Sequence, residues 1–388
     1  MRTHPVGVDL LRGLAELERT ERGWLPHRLP ARARIQNTDP QLAAVEAQPS
    51  GVRLVFRTES TVAEVDLLRT RTVLVGVPER PDGTVDLLID GRLAGQATTT
   101  NGDVVRVDPA TGLTEFEPGS PGTVRFTDLP AGDKEVAIWL PHYERTELVA
   151  LRTDAPITPV REHPRRVWLH HGSSISQGSN AASPSTTWAA LAASLGGVEL
   201  INLGLAGSAM LDPFTARAMR DTATDLISVK IGINIVNGDV MRLRAFGPAV
   251  HGFLDTLRDG HPEVPLLVLG PLYCPIHENT PGPGAFDTTA LAAADVRFLA
   301  TGDPESTARG SLTLSVIREQ LDDIMSSRIA EDPHLHYLDG HALYGPDDAA
   351  EHPLPDNLHP DATTHRLIGE RFARAAFVAQ GPFSLCRR

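Results

Sequence analysis

From about residue 51 to 153 apolar and polar positions alternate in twos. The segments GVRLVFRTES, AEVDLLR, VDLLIDGR, GTVRFTDLP and KEVAIWLPH are short, and several are rich in β-branched residues. PERPDG, TTNGD, EPGSPG and PAGD separate them, supplying Gly, Pro and Asn where turns are needed. Successive strands without helices predict an antiparallel β-sandwich of jelly-roll type. GWLPHRLPAR is expected at the edge of that sandwich, because proline cannot donate to a central ladder.

The period changes after DAPITPVREHPRR. VWLHHG, VELINLG, LISVKIG, PLLVLGP and LHYLDG are nearly continuous apolar runs, as parallel strands covered on both faces require. Helical patterns alternate with them: TTWAALAASLG, PFTARAMRDT, a stretch from Asp239 to Arg258, SLTLSVIREQLDDIMSSRIAED and TTHRLIGERFARAAFVAQ. This alternation predicts a flavodoxin-like, doubly wound α/β sheet. The expected division is a sandwich over residues 1–160 and an α/β domain over 161–388.

Composition narrows the function classes. A hydrophobic share of 41% with 22% charged residues is that of an ordinary globular chain, and no apolar run is long enough for a membrane span. Charge interrupts the N-terminal segment too early for a signal peptide, so a cytoplasmic location is expected. The net charge of −13 argues against a nucleic-acid partner, which needs a clustered cationic face. Cys274 and Cys386 are too few for a disulfide framework and read as two separate thiols. No GxGxxG follows a strand, and neither a Walker sequence nor HExxH occurs, so no cofactor or metal is expected. His334-x-His336 reads as two surface or packed side chains, and His170 and His171 as strand residues facing opposite ways.

In a doubly wound sheet, ligands bind beyond the carboxyl ends of the strands. Four such ends carry GSSISQG (172–178), NLGLAG (202–207), IGIN (231–234) and DNLHP (356–360). Each block alone is unspecific. Together and in this order they resemble the SGNH family, the GDSL-like esterases and lipases, over roughly residues 165 to 380. The resemblance implies Ser174 as nucleophile, with His359 as its base and Asp356 orienting the imidazole. A serine hydroxyl needs such a base in hydrogen-bond reach before it can attack an ester. The resemblance further implies an oxyanion hole from the amides of Ser174 and Gly207 and the side chain of Asn234. Gly204 and Asn237 are the neighbouring alternatives. Ser174 also reads as a helix cap after a strand. Two positions depart from the family pattern. Ser173 stands where Gly-Asp-Ser has Asp, and Ile235 stands where an acid commonly follows the third-block Asn.

The stretch from Tyr273 to about Arg309 is long and irregular, like loops that cover active sites. Tyr273 and His277 are its candidate substrate contacts, and Trp24, with His27 and Arg28, those of the sandwich. The two-domain layout is similar to carbohydrate acetylesterases of the family and to an actinobacterial group of polyketide-tailoring acyltransferases. The expected function is therefore serine-dependent acyl-ester hydrolysis or acyl transfer through an acyl-Ser174 intermediate. The partners are a small acyl ester or thioester and either water or a hydroxyl acceptor. The alternative within the class moves an acyl group, aromatic in that tailoring group, from a CoA-type thioester to a polyketide or sugar hydroxyl. A reading from another class is a non-catalytic carbohydrate-binding protein, against which the intact set of five residues speaks.

Overall fold

The alternating segments form strands whose inward residues meet between two sheets, as the computed structural model shows for the described residues 1–108, 111–160 and 165–384. The first sheet runs in the order Thr114–Glu117, Asp103–Val107, Ala63–Leu74, Arg145–Thr153, Trp24–His27, Glu16–Arg19. The second runs Ile157–Pro159, Arg53–Thr58, Lys134–Trp139, Thr84–Ile89, Arg92–Thr98. Val65, Leu67 and Leu148 of the first sheet and Leu54, Phe56 and Ile138 of the second are all fully buried in one apolar cluster. Pairing is antiparallel except where Ala63–Leu74 lies parallel to Asp103–Val107.

Trp24–His27 is not the edge strand that its proline predicts. Glu16–Arg19 covers it, and Pro26 sits opposite Leu17. On its other side only Trp24 is in register, with Leu148. The missing N–H of Pro26 is accommodated because that ladder is one residue long.

In the α/β part, β1 (Val167–Gly172), β2 (Glu199–Gly204), β3 (Leu226–Lys230), β4 (Leu266–Leu269) and β5 (Leu335–Leu338) form an all-parallel sheet in the order 2-1-3-4-5. The helices α1 (Ser174–Gln177), α2 (Trp188–Gly196), α3 (Pro213–Arg220), α4 (Ile233–Asn237), α5 (Leu243–Gly260), α6 (Leu314–Ile329) and α7 (Ala362–Ala376) alternate with the strands. Their starts follow local chemistry: Thr187, Thr313 and Asp361 accept from the backbone N–H groups of Ala190, Val316 and Thr364. On one face Trp168 stacks on Phe372 at 4.9 Å and lies 6.2 Å from Trp188. All three are fully buried. Truncating such an aromatic to Ala typically costs about 3–5 kcal/mol.

The chain clusters as two units, and their limits differ from the expected break after residue 160. One comprises Met1–Ala31, Ala43–Pro164 and Ser183–Ser185; the other comprises Arg32–Leu42, Arg165–Ala182 and Thr186–Arg388. Polar anchors explain the exchanged segments. In the α/β unit Arg32 pairs with Asp221 at 2.7 Å, Arg217 donates to Gln36, and Gln41 Nε2 donates to the Ala206 carbonyl at 3.1 Å. In the sandwich unit the buried carboxylate of Asp86 accepts from the hydroxyls of Ser183 and Ser185 at 2.6 and 2.5 Å. Residues 161–164 of the expected boundary and Cys386 lie outside the described residues.

Candidate active site

Register brings the first two blocks together. Gly172 at the end of β1 lies opposite Gly204 at the end of β2. A Cβ on Gly204 would stand 2.3 Å from the Gln177 nitrogen, so only glycine lets β2 pass beneath the turn that carries Ser174. That turn is α1, one helical turn long, closed by Gly178 at φ 112°. Asn202 fastens it from β2, with Nδ2 donating to the Ser176 carbonyl at 2.9 Å.

His359 reaches the Ser174 turn from 185 positions away, with Nε2 3.0 Å from Ser174 Oγ. Its Nδ1 lies 2.8 Å from Asp356 Oδ2. The carboxylate holds its own turn as well: Oδ1 accepts from the backbone N–H groups of Leu358 at 2.9 Å and His359 at 2.6 Å. Burial raises the Asp356 pKa, but the hydrogen bond and charge of His359 with the two backbone N–H groups outweigh it, leaving a pKa lowered to about 2. Ser174, Asp356 and His359 are all more than nine-tenths buried. The arrangement keeps an anion, an imidazole and a hydroxyl in one hydrogen-bonded line. Such a line transfers the hydroxyl proton to the ring as the oxygen attacks an acyl carbon.

The groups expected to form an oxyanion hole are placed as follows. Gly207 lies in a turn at φ 72°, and Gln177 Oε1 holds the preceding residue by accepting from Ala206 N–H at 3.0 Å. Among the described residues the N–H groups of Ser174 and Gly207 have no acceptor. Gly204 N–H, the neighbouring alternative, is committed to Asn202 Oδ1 at 2.8 Å. Asn234 Oδ1 accepts from Ala209 N–H at 3.1 Å, which fixes the amide's orientation and leaves its NH2 as the donor end. Asn237 is engaged elsewhere, its Oδ1 lying 3.1 Å from His277 Nε2.

The low-specificity candidates fall differently. His277 is fully buried, its ring nitrogens meeting Asn237 and the Thr280 carbonyl. Tyr273 is half-buried, held by its backbone N–H on the Tyr344 carbonyl at 3.0 Å, with its ring edge-on to His341. Trp24 packs on the sandwich core beneath the Arg19 guanidinium, 5.0 Å from its ring. His27 is held by Glu46 and Glu18, and Arg28 is buried against the Val45 carbonyl. Among the described residues no group of three or more His, Cys, Asp or Glu side chains is placed to hold a metal, and no helix is long and apolar enough to cross a membrane.

Residues 273–309 contain more structure than their sequence suggests. Gly284–Phe286 and Phe298–Ala300 form a hairpin. Phe298 closes on the Asp356–His359 turn: its ring meets His359 edge-on at 5.6 Å, its N–H donates to the Asp356 carbonyl at 2.9 Å, and Asn357 Nδ2 donates to its carbonyl at 3.2 Å. Asn180 adds a fourth hydrogen bond to Asp356, with Nδ2 3.1 Å from Oδ2. Sequence reasoning missed Asn180, Phe298 and Gln41. Each meets the site across a long stretch of chain, and only Asn180, two residues beyond the first block, carried any local signal.

Residues 166–273 match the model of the GDSL-like Lipase/Acylhydrolase family. No curated protein matches the chain. Among solved structures, it is similar to the salicylyl-acyltransferase SsfX3 from a tetracycline biosynthetic pathway, with 28% identity and a TM-score of 0.74 over 94% of this chain and 92% of that one. It shares its fold with a protein described as a GDSL-like lipase from Bacteroides ovatus, at 20% identity and TM-score 0.64 over 94% and 93% of the two chains. A family two carbohydrate esterase from Cellvibrio japonicus shares the fold at 12% identity and TM-score 0.54, over 96% of each chain. Residues 166–273 thus carry a GDSL-like lipase/acylhydrolase domain, and the chain as a whole is similar in fold to an acyltransferase and to a carbohydrate esterase.

Proposed function

We propose that the protein transfers acyl groups through an ester on Ser174. The observation that carries this reading is the line Asp356–His359–Ser174, with contacts of 2.8 and 3.0 Å. Ser174 Oγ attacks the acyl carbonyl carbon as its proton passes to His359 Nε2. The tetrahedral oxyanion is met by the N–H groups of Ser174 and Gly207 and the NH2 of Asn234. The carbon–heteroatom bond to the leaving group then breaks, and that group takes the proton from Nε2. An acceptor O–H repeats the sequence in reverse, giving its proton to Nε2 while its oxygen attacks the acyl carbon and frees Ser174. Asp356 stays ionised throughout and stabilises the imidazolium.

Within this reading the acceptor is a hydroxyl of a polyketide or sugar, and the donor an activated acyl thioester. Likeness to a salicylyl-acyltransferase along 94% of the chain supports this, because it extends over both units. Hydrolysis is then the side reaction with water. The test is turnover of p-nitrophenyl acetate by wild type and Ser174→Ala. Loss of turnover in the variant is expected, and equal rates would refute the acyl-serine mechanism. Adding phenolic or sugar alcohols to the wild type should divert acyl groups from acid to ester; acid as sole product with every acceptor would favour plain esterase activity.

A further inference from the structure

Only two of the 36 basic residues are lysines, and one of them, Lys230, is buried under the site. It ends β3, with Nζ 3.4 Å from Ser173 Oγ, its one hydrogen-bond partner among the described residues. Ser173 immediately precedes the nucleophile and is the N-cap of its turn. The same face of the sheet grips that turn again from below: Trp168 Nε1 donates to Ser228 Oγ at 2.8 Å, Ser228 Oγ lies 2.7 Å from His170 Nδ1, and His170 Nε2 lies 2.8 Å from Ser176 Oγ. Ser173 and Ser176, on either side of Ser174, are thus both held by buried polar groups of β1 and β3.

Lys230 differs from the other members of this stripe in carrying a charge. The void it lines holds about 10 Å³, room for no more than one water. The titratable groups around it are His170 from β1, Tyr273 and Cys274 from the segment after β4, and Tyr344 from the segment after β5. Among the described residues no Asp or Glu lines that void. An ammonium without a carboxylate partner is costly to bury, and the cost appears as a lowered pKa.

We propose that Lys230 is a positioning residue for acyl transfer: held against Ser173, its buried ammonium sets a positive charge beneath the nucleophile turn and favours the anionic tetrahedral intermediate over the ground state. The proposal rests on Ser174 being the nucleophile. Burial lowers the Lys230 pKa to about 8 and that of His170 well below its ordinary value, so the charge sits on the lysine and the imidazole stays neutral. The lysine is charged below about pH 8 and neutral above it. Activity should therefore fall on the alkaline side. A unit charge on the order of 8 Å from the oxyanion, at an effective dielectric near 20, changes the rate roughly 10- to 30-fold. The His359 cation, whose Nε2 lies 3.0 Å from Ser174 Oγ, feels the same charge from about 12 Å, and this opposing effect leaves about threefold.

The experiment compares kcat and KM for p-nitrophenyl acetate from about pH 6 to pH 10 in wild type, Lys230→Met, Lys230→Arg and Ser174→Ala, each checked for thermal unfolding. Wild type should lose kcat with a midpoint near pH 8. Lys230→Met should show about threefold lower kcat at pH 7, KM within about twofold, and no limb near pH 8. Lys230→Arg, charged throughout, should keep its kcat to pH 10. An unchanged kcat and unchanged limb in folded Lys230→Met would overturn the proposal. Should neither variant fold, a wild-type profile flat from about pH 7 to pH 10 would overturn it equally. Turnover by Ser174→Ala at the wild-type rate would instead show that the acyl-serine reading itself has failed.

Discussion

Replacing Asp356 by Asn changes one oxygen into an NH2 and leaves the volume nearly constant. Asn can keep Oδ1 as acceptor for the backbone N–H groups of Leu358 and His359, so the turn should survive. The other end then presents a donor to His359 Nδ1 and to Asn180 Nδ2, where the carboxylate accepted from both. His359 can restore its hydrogen bond only by moving its proton to Nε2, and in that tautomer it cannot accept the Ser174 proton. The variant also loses the anion that stabilises the imidazolium. Two unit charges about 4 Å apart at an effective dielectric near 20 interact by about 4 kcal/mol, a factor of about 10³ in rate. The wrong tautomer adds to this, so kcat should fall about 10³- to 10⁴-fold with KM little changed. Initial rates on p-nitrophenyl acetate, paired with urea unfolding, separate catalysis from stability. A loss of kcat smaller than about tenfold in a folded Asp356→Asn protein would show that the carboxylate does not set the tautomer or the charge.

Two further outcomes follow from the same geometry. Asn234→Ala removes the NH2 proposed to meet the oxyanion and should lower kcat about 10²- to 10³-fold with KM nearly constant, as steady-state kinetics would reveal. Its effect on stability should be limited to the lost Ala209 contact. His365 is fully buried, accepts from Trp188 N–H and lies 2.9 Å from the Ser179 carbonyl, and burial lowers its pKa to about 4. Because the unfolded chain binds that proton more tightly, its stabilising contribution is complete above about pH 6.5 and is lost as pH falls toward 4, on the order of 3 kcal/mol in all. Urea titrations between pH 4 and pH 7 should show a shallower pH dependence for His365→Gln than for wild type; identical slopes would refute the assignment.

Much of the α/β unit was legible because its signals are local. β1 to β5 are runs with no polar alternation, and each of the four motif blocks sits within a few residues of a strand end or of the last helix. Doubly wound topology then dictates that these ends converge, which is how Ser174 and His359 meet across 185 positions. The sandwich was legible only where strands alternate strongly. Arg92–Thr98 and Thr114–Glu117 are largely exposed and polar, so no apolar period marks them. The proline rule misplaced Trp24–His27 because it addresses hydrogen bonding along a full ladder, and here the ladder beside Pro26 is one residue long. The contacts that steady Asp356 and His359, from Asn180 and Phe298, depend on how distant segments pack, which no local period encodes. The same holds for Gln41, near the start of the chain, which bonds the turn before Gly207.

The most direct test of the account is the acyl-enzyme itself. Mixing the protein with an aromatic acyl thioester, quenching in acid and mapping peptides by mass spectrometry should find one acyl mass added, on the peptide bearing Ser174, and lost again when a hydroxyl acceptor is supplied. Acylation at another residue, or an unmodified Ser174 peptide during ongoing turnover, would contradict it.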